Sequence, residues 1–363
     1  MIVQVSDFNS FLKKILSEKL LSIQEIITPS RPYFSQSDSL FFKPLRFEDK
    51  TIDLGMYRTV DPVKFLFYPP RERVFPAESN GKRRLIAGLK ACDLNALSIL
   101  DTALTKSGFT DEAYKCWRDN SIIISLDCTR PLSNCFCTFL GGKPYAEKGY
   151  DLNLSELEGD YFITVGSSKG EEFLFEMKKY TDTYRAQEAI LQKVRAKREK
   201  LTEDLNRQIH ALLSAREEKY SAKDEASLWL ETSENCVGCG SCTNSCPSCY
   251  CLILNDESNG KDFIKVRTYD SCQLHGYARV AGGGTPRPKM HQRFRNRLMC
   301  KFSYMKSNFS LPGCTGCGRC MDVCALGFDF VMMAKKVLDS PQAAAKDADS
   351  GPGENILEIS QKA

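Results

Sequence analysis

The chain has 363 residues, 42% of them hydrophobic, and a formal net charge of +4. That length suggests two or three domains with a sizeable core; the mild charge excludes a strongly basic nucleic-acid binder, and no apolar run approaches the ~20 residues of a membrane span. Its 17 cysteines against three histidines, with no apolar signal-peptide core at the start, point to thiolate-bound metal in the cytoplasm rather than a disulfide framework.

Residues 1–175 are expected to form an α/β domain. The opening MIVQVSDFNSFLKKIL alternates apolar and polar residues and belongs to the fold, and the turn-rich TPSRPYF and FYPPRERVFP follow. Arg83–Leu89 predicts a strand. The helix after it would pack Leu94, Leu97, Ile99, Leu100 and Leu104 on a sheet, with Asp93 as its cap. Ser121–Cys128 and Asp160–Gly166 predict two further strands, giving a two- or three-layer arrangement. Cys92 and Cys128 close strand-like runs, where α/β sheets collect ligands. With Cys135 and Cys137 of DCTRPLSNCFC they form a candidate set for a third cluster. The other reading makes Cys92 and Cys128 ordinary buried side chains; the Cys-x-Cys spacing argues against it for Cys135 and Cys137.

Residues 176–231 predict a charged helical segment. Leu191, Val194, Leu201, Leu205 and Leu212 make a helical stripe, interrupted by Arg198. A helix covering its own neighbour fits this better than a coiled-coil contact with a partner.

Residues 232–335 carry the dense cysteine motifs. Cys236, Cys239, Cys242 and Cys246, followed by Pro247, spell C-x2-C-x2-C-x3-C-P. In two-cluster ferredoxins the first three cysteines hold one [4Fe–4S] cluster and the fourth holds the other. Gly238 and Gly240 let backbone amides turn toward sulfur, and the fourth cysteine is expected at a helix start, which Pro247 suits. Cys314, Cys317, Cys320 and Cys324 repeat the spacing, with Ala325 in place of proline. Crossed ligation assigns one cluster to Cys236, Cys239, Cys242 and Cys324, and the other to Cys314, Cys317, Cys320 and Cys246. Zinc motifs seldom use four cysteines at this spacing, let alone twice.

An insert, 248–312, splits the two halves. It carries Cys249, Cys251, Cys272 and Cys300, a candidate fourth site whose other reading is a redox-active or buried Cys-x-Cys pair. Within its basic stretch RPKMHQRFRNRLMCKF, the Arg-rich part Arg287–Arg297 would either offset cluster charge, bind an acidic partner or be a solvated helix. Four sets of four would leave only Cys116. Residues 336–363 predict a mobile tail. No strand-linked GxGxxG, Walker A loop or nucleophile elbow is present, so no flavin or nucleotide site is expected here. AGGGTP reads as a turn rather than a phosphate loop, and ELEGD as a polar turn.

Together GLKACDLNAL, DCTRPLSNCFC, NCVGCGSCTNSCPSCYC and RTYDSCQLHGYARVAGGGTPRP resemble one family, the sulfhydrogenase beta subunit and anaerobic sulfite reductase A subunit, from about Gly88 to Cys324. Tyr269 stands where that family commonly has Trp, and Gly282–Gly284 where it often reads Gly-Gly-His. The resemblance implies a subunit of an anaerobic oxidoreductase complex. It would relay electrons between a flavin- and NAD(P)-binding reductase subunit, or a ferredoxin, and a catalytic hydrogenase- or sulfite-reductase-like subunit. The second reading is a heterodisulfide-reductase-like catalytic subunit with an unusual cluster at the Cys-x-Cys pairs.

Overall fold

The structure, a computed structural model, describes residues 1–31, 39–49, 52–75, 81–214, 225–258 and 260–339. The stretch 215–224 of the expected helical segment and residues 340–363 of the expected tail lie outside the described residues.

Strand β1 (Ile2–Gln4) runs straight into helix α1 (Val5–Glu18), followed by β2 (Glu25–Ser30), β3 (Phe41–Pro44) and β4 (Arg71–Phe75). Then come β5 (Arg84–Leu89), α2 (Ala91–Thr105), α3 (Glu112–Asp119), β6 (Ser121–Leu126), β7 (Leu152–Leu157), β8 (Asp160–Val165) and α4 (Ser168–Met177). All these strands except β4 form one mixed sheet, ordered β1-β8-β7-β6-β5-β2-β3. Its centre, β2-β5-β6-β7, is parallel, and its outer pairs are antiparallel. RLIAGL and SIIISL are buried along their whole length, as parallel strands covered on both faces must be.

Alternate residues of these strands feed opposite cores. Leu85, Ala87, Ile122 and Ile124 pack with Phe8, Phe11 and Leu12 of α1 and Phe173 of α4. Ile86, Leu89 and Ile123 pack with Leu94, Leu97 and Leu100 of α2. The period-2 alternation of a strand therefore yields three layers, helix–sheet–helix. Asp93 is not the cap of α2, because the chain is already helical at Ala91. Lys90 is the N-cap, and the Asp93 carboxylate in the third helical position accepts from Lys90 N–H at 3.4 Å.

Helix α5 (Glu188–Ser214) buries Val194, Leu205 and Ile209. Its stripe covers the chain's own core: Leu205 and Ile209 pack with Trp229 of α6 (Glu225–Ser233). Arg198 breaks the stripe because it reaches Asp127, just beyond β6, with Nε 2.7 Å from Oδ2, and stacks 4.6 Å over Tyr145.

The C-terminal part comprises α7 (Ser241–Asn244), β9 (Leu252–Ser258), β10 (Phe263–Tyr269), α8 (Met290–Met299), α9 (Met305–Phe309), α10 (Arg319–Asp322) and α11 (Phe330–Leu338). The hairpin β9-β10 of the insert takes β4 as a third, antiparallel strand. Buried Arg267 on β10 ion-pairs with Glu72 on β4 and with Asp111, the N-cap of α3, beneath the Tyr68 ring at 3.9 Å. The insert is thus fastened to the N-terminal domain by buried, paired charge. Buried residues of α8 and α11 (Phe294, Leu298, Phe330, Val331, Met333) close a third core over the cysteine loops.

Candidate metal centre

The sequence repeat is also a backbone repeat. Gly238 and Gly240 have φ of 68° and 75°; Gly316 and Gly318 have 65° and 75°. Gly240 and Gly318 begin the short helices α7 and α10, with ψ of −3° and −5°, and the two helices pack together. Only glycine takes this left-handed conformation without strain. The expectation of a helix start at the fourth cysteine is corrected: α7 and α10 end at Asn244 and Asp322, so Cys246 and Cys324 lie just beyond helix ends. Pro247 and Ala325 occupy turns, and the missing proline removes no helix start.

Cys246 belongs to the first motif in sequence, yet its charge reaches thiols of both motifs, Cys242 as well as Cys314 and Cys320. The thiols of Cys314 and Cys320 feel its charge as well as that of Cys317. Burial pushes the Cys314 thiol up to about 12 and Cys320 well above its ordinary value. Cys236 and Cys242 lie together in the other half. Cys239 stays exposed, its thiol 3.4 Å from the Ser241 hydroxyl, which lowers its pKa. Cys324 is half-buried in the turn after α10.

The structure also gathers the N-terminal set. Cys92 and Cys128 follow the adjacent parallel strands β5 and β6, and Cys135 and Cys137 return on the next loop. Cys128 interacts with Cys92, Cys135 and Cys137, and burial pushes its thiol up to about 12. This set abuts the second ferredoxin loop: Cys92 and Cys135 both feel Cys317. Phe136 N–H donates to the Gly316 carbonyl at 2.8 Å. A Cβ at Gly316 would collide with the Cys137 backbone, and one at Gly318 with the Asn134 carbonyl.

Buried cations surround this junction. Arg319 pairs with Asp93 at 2.9 Å and donates to the Thr59 carbonyl at 3.0 Å. Arg58 pairs with Asp322 and donates to the Cys317 carbonyl. Lys90, fully buried, donates to the Gly55 carbonyl and faces Cys128.

The donor set fits iron–sulfur clusters. Thr129, Thr138 and Thr315 each directly follow a cysteine of these sets, and each has a buried hydroxyl with no hydrogen-bond partner. Buried Nη1 of Arg319, whose neighbours include Cys92 and Cys317, is also without one. Unsatisfied buried donors are costly, and anionic sulfur would accept from all four. Among the described residues no three His, Cys, Asp or Glu side chains converge tightly enough for a single metal ion. Bound metal would displace the protons that burial keeps on these thiols.

Of the insert cysteines, Cys251, Cys272 and Cys300 are neighbours, and the Cys249 thiol hydrogen-bonds that of Cys246. Arg293 and Arg297 of the basic stretch are buried, which corrects the solvated-helix reading for that face of α8. Tyr269 stacks on Tyr68 at 5.4 Å. The Gly282–Gly284 run is an exposed turn closed by Val280 N–H to the Gly284 carbonyl at 2.9 Å. Glu158 and Gly159 of ELEGD form the turn of the β7-β8 hairpin.

Sequence reasoning missed Arg58, Lys64, Lys90, Lys301 and Arg319 as parts of the site. Three of them carry a legible signal, a basic residue within two positions of a cysteine: Lys90 before Cys92, Lys301 after Cys300, Arg319 before Cys320. Arg58 and Lys64 arrive from a distant loop and carry none.

A 4Fe-4S dicluster domain family matches residues 235–328. The chain is 32% identical over 308 residues to sulfhydrogenase 2 subunit beta of Pyrococcus furiosus, a match covering 81% of this chain and 88% of that one.

Proposed function

The chain belongs to the sulfhydrogenase beta-subunit family, and on that premise we propose that it passes electrons between a flavin- and NAD(P)-binding reductase subunit and a catalytic subunit of hydrogenase or sulfite-reductase type, in the cytoplasm. One observation carries the reading: the duplicated glycine-bent loops, with Cys246 of the first close enough to act on Cys314 and Cys320 of the second. Cys236, Cys239, Cys242 and Cys324 hold one cluster, and Cys314, Cys317, Cys320 and Cys246 the second. Cys92, Cys128, Cys135 and Cys137 hold a third. When bound, a [4Fe–4S] cluster takes up and releases single electrons at a potential set by its charge, hydrogen bonds and exposure.

The protein's part is to fix distances, exclude water and offset charge. Contact between neighbouring sets sets the order: Cys92 and Cys135 meet Cys317, Cys246 lies among the second set's thiols, and Cys242 feels Cys246. The path therefore runs from the N-terminal domain, through the second ferredoxin half, to the first. There the loop bearing Cys239, with Val237 76% exposed, reaches solvent. Arg58, Lys90 and Arg319 offset thiolate charge where the N-terminal set meets the second half.

The test is a complex assembled with Cys242→Ser. Electron passage from reduced nicotinamide to the catalytic subunit should fall to background. The reductase subunit's activity with an artificial acceptor, and the catalytic subunit's with an artificial donor, should persist. Undiminished passage would contradict the relay.

A further inference from the structure

The relay above uses twelve cysteines, and a second group of buried cations lies apart from Arg58, Lys90 and Arg319. Lys64, Arg297 and Lys301 are 2%, 3% and 2% exposed. They come from different parts of the chain and converge on one turn, Cys246–Cys249. Lys64 Nζ donates to the carbonyls of Cys249 and Thr243, each at 3.1 Å. Lys301 Nζ donates to the Ser248 hydroxyl at 2.8 Å. Arg297 donates through Nη2 to the Cys242 carbonyl at 2.8 Å, and its Nη1 lies 3.8 Å from Cys249 Sγ.

The negative charges acting on these three cations are thiols: Cys246, Cys249 and Cys251 on Lys64, Cys246, Cys249 and Cys300 on Lys301, and Cys242, Cys246, Cys249 and Cys320 on Arg297. Among the described residues no carboxylate ion pair offsets them. Burying unpaired charge is expensive, and neutral thiols do not compensate it. Cys246 belongs to the second ferredoxin set, but that set does not contain Cys249, Cys251 or Cys300.

Three insert cysteines share a second enclosure, and Tyr250 lies beside Cys249, Cys251 and Cys300. Cys251, Cys272 and Cys300 interact with one another. The Tyr277 hydroxyl lies 3.7 Å from Cys251 Sγ and faces all three thiols. Gln273 Nε2 lies 3.4 Å from Cys272 Sγ. Cys300 opens a π-helical segment, Cys300–Tyr304, between α8 and α9, a local widening common at functional sites.

We propose that Cys249, Cys251, Cys272 and Cys300 hold a fourth [4Fe–4S] cluster, with Lys64, Arg297 and Lys301 as its charge compensation, shared with the adjoining ferredoxin set. A cubane on four thiolates is anionic in both oxidation states, so it supplies the charge the cations lack. It gains one electron from a reduced neighbouring cluster and returns it, with no bond made or broken. The set borders both ferredoxin halves, through Cys242 and Cys272 and through Cys246 and Cys249, which makes it a side store on the relay rather than a further end.

The test uses the full chain purified without oxygen. Cys300→Ala should lose about four irons and four sulfides relative to wild type, while the signals of the other clusters persist. Cys300→Asp places an oxygen ligand at the same point and should retain iron with an altered paramagnetic signal. If the alanine variant does not fold, the aspartate variant decides. Cys128→Ala removes iron from the N-terminal set alone, so the two sites fail separately. Wild-type iron content and unchanged signals in the Cys300 variants would overturn the proposal.

Discussion

Gly316→Ala tests the contact that joins the N-terminal cysteine set to the ferredoxin part. Alanine at φ 65° costs ~1–2 kcal/mol for the left-handed backbone. Its Cβ would also strike the backbone of Phe136 and Cys137, atoms that cannot rotate away. Overpacking of this kind adds ~1–3 kcal/mol. Gly327→Ala is the control: its φ is 62°, but a Cβ there meets open space, so only the backbone cost of ~1–2 kcal/mol remains. The expected difference, ~1–3 kcal/mol, is a large fraction of a domain's ~5–15 kcal/mol. Denaturant unfolding of both full-length variants, without oxygen, measures it. Gly316→Ala should also weaken magnetic coupling between the two reduced sets. Equal destabilisation by the two substitutions would refute the close approach of residues 134–137 to the Gly316 loop.

Arg297→Gln removes a buried positive charge beside Cys242, Cys246, Cys249 and Cys320. The oxidised, less negative cluster is then favoured, and midpoint potentials in a paramagnetic-resonance redox titration should fall by on the order of 50–100 mV. Asp127→Ala strands Arg198, whose partner it is at 2.7 Å, and should cost ~3 kcal/mol in denaturant unfolding. The cluster-free chain should be alkali-sensitive. The Cys128 thiol rises from 9.0 to about 12 on folding, so the folded state holds its proton while the unfolded state has lost it. Stability is then fully present below pH 9 and declines as pH rises toward 12. If Cys128 is a cluster ligand, the loaded chain should lack that contribution to the slope in thermal melts at several pH values.

Both central strands of the parallel sheet, RLIAGL and SIIISL, were legible because each is a short apolar run at the predicted place. The ferredoxin loops were legible because cubane ligation imposes a rigid spacing. What escaped depends on long-range approach. Nothing near Arg71–Phe75 announces that it will join a hairpin beginning at Leu252, and nothing near Lys64 announces Cys249. The sequence suggested a helix start at Cys246 because Pro247 suits a first turn, and at Cys324 by repetition of the spacing, whereas the chain there is finishing α7 and α10. Arg198 looked like an interruption of an apolar stripe and is instead the answer to a buried Asp127.

The central claim is that this chain holds reducible iron–sulfur clusters close enough to exchange electrons. Paramagnetic-resonance redox titration of the full chain, with iron and acid-labile sulfide counted on the same sample, tests it most directly. The account predicts at least about eight irons and eight sulfides per chain, with reduced-cluster signals that broaden through mutual coupling as reduction proceeds. Zinc in place of iron, or reduced signals that stay uncoupled throughout, would contradict it.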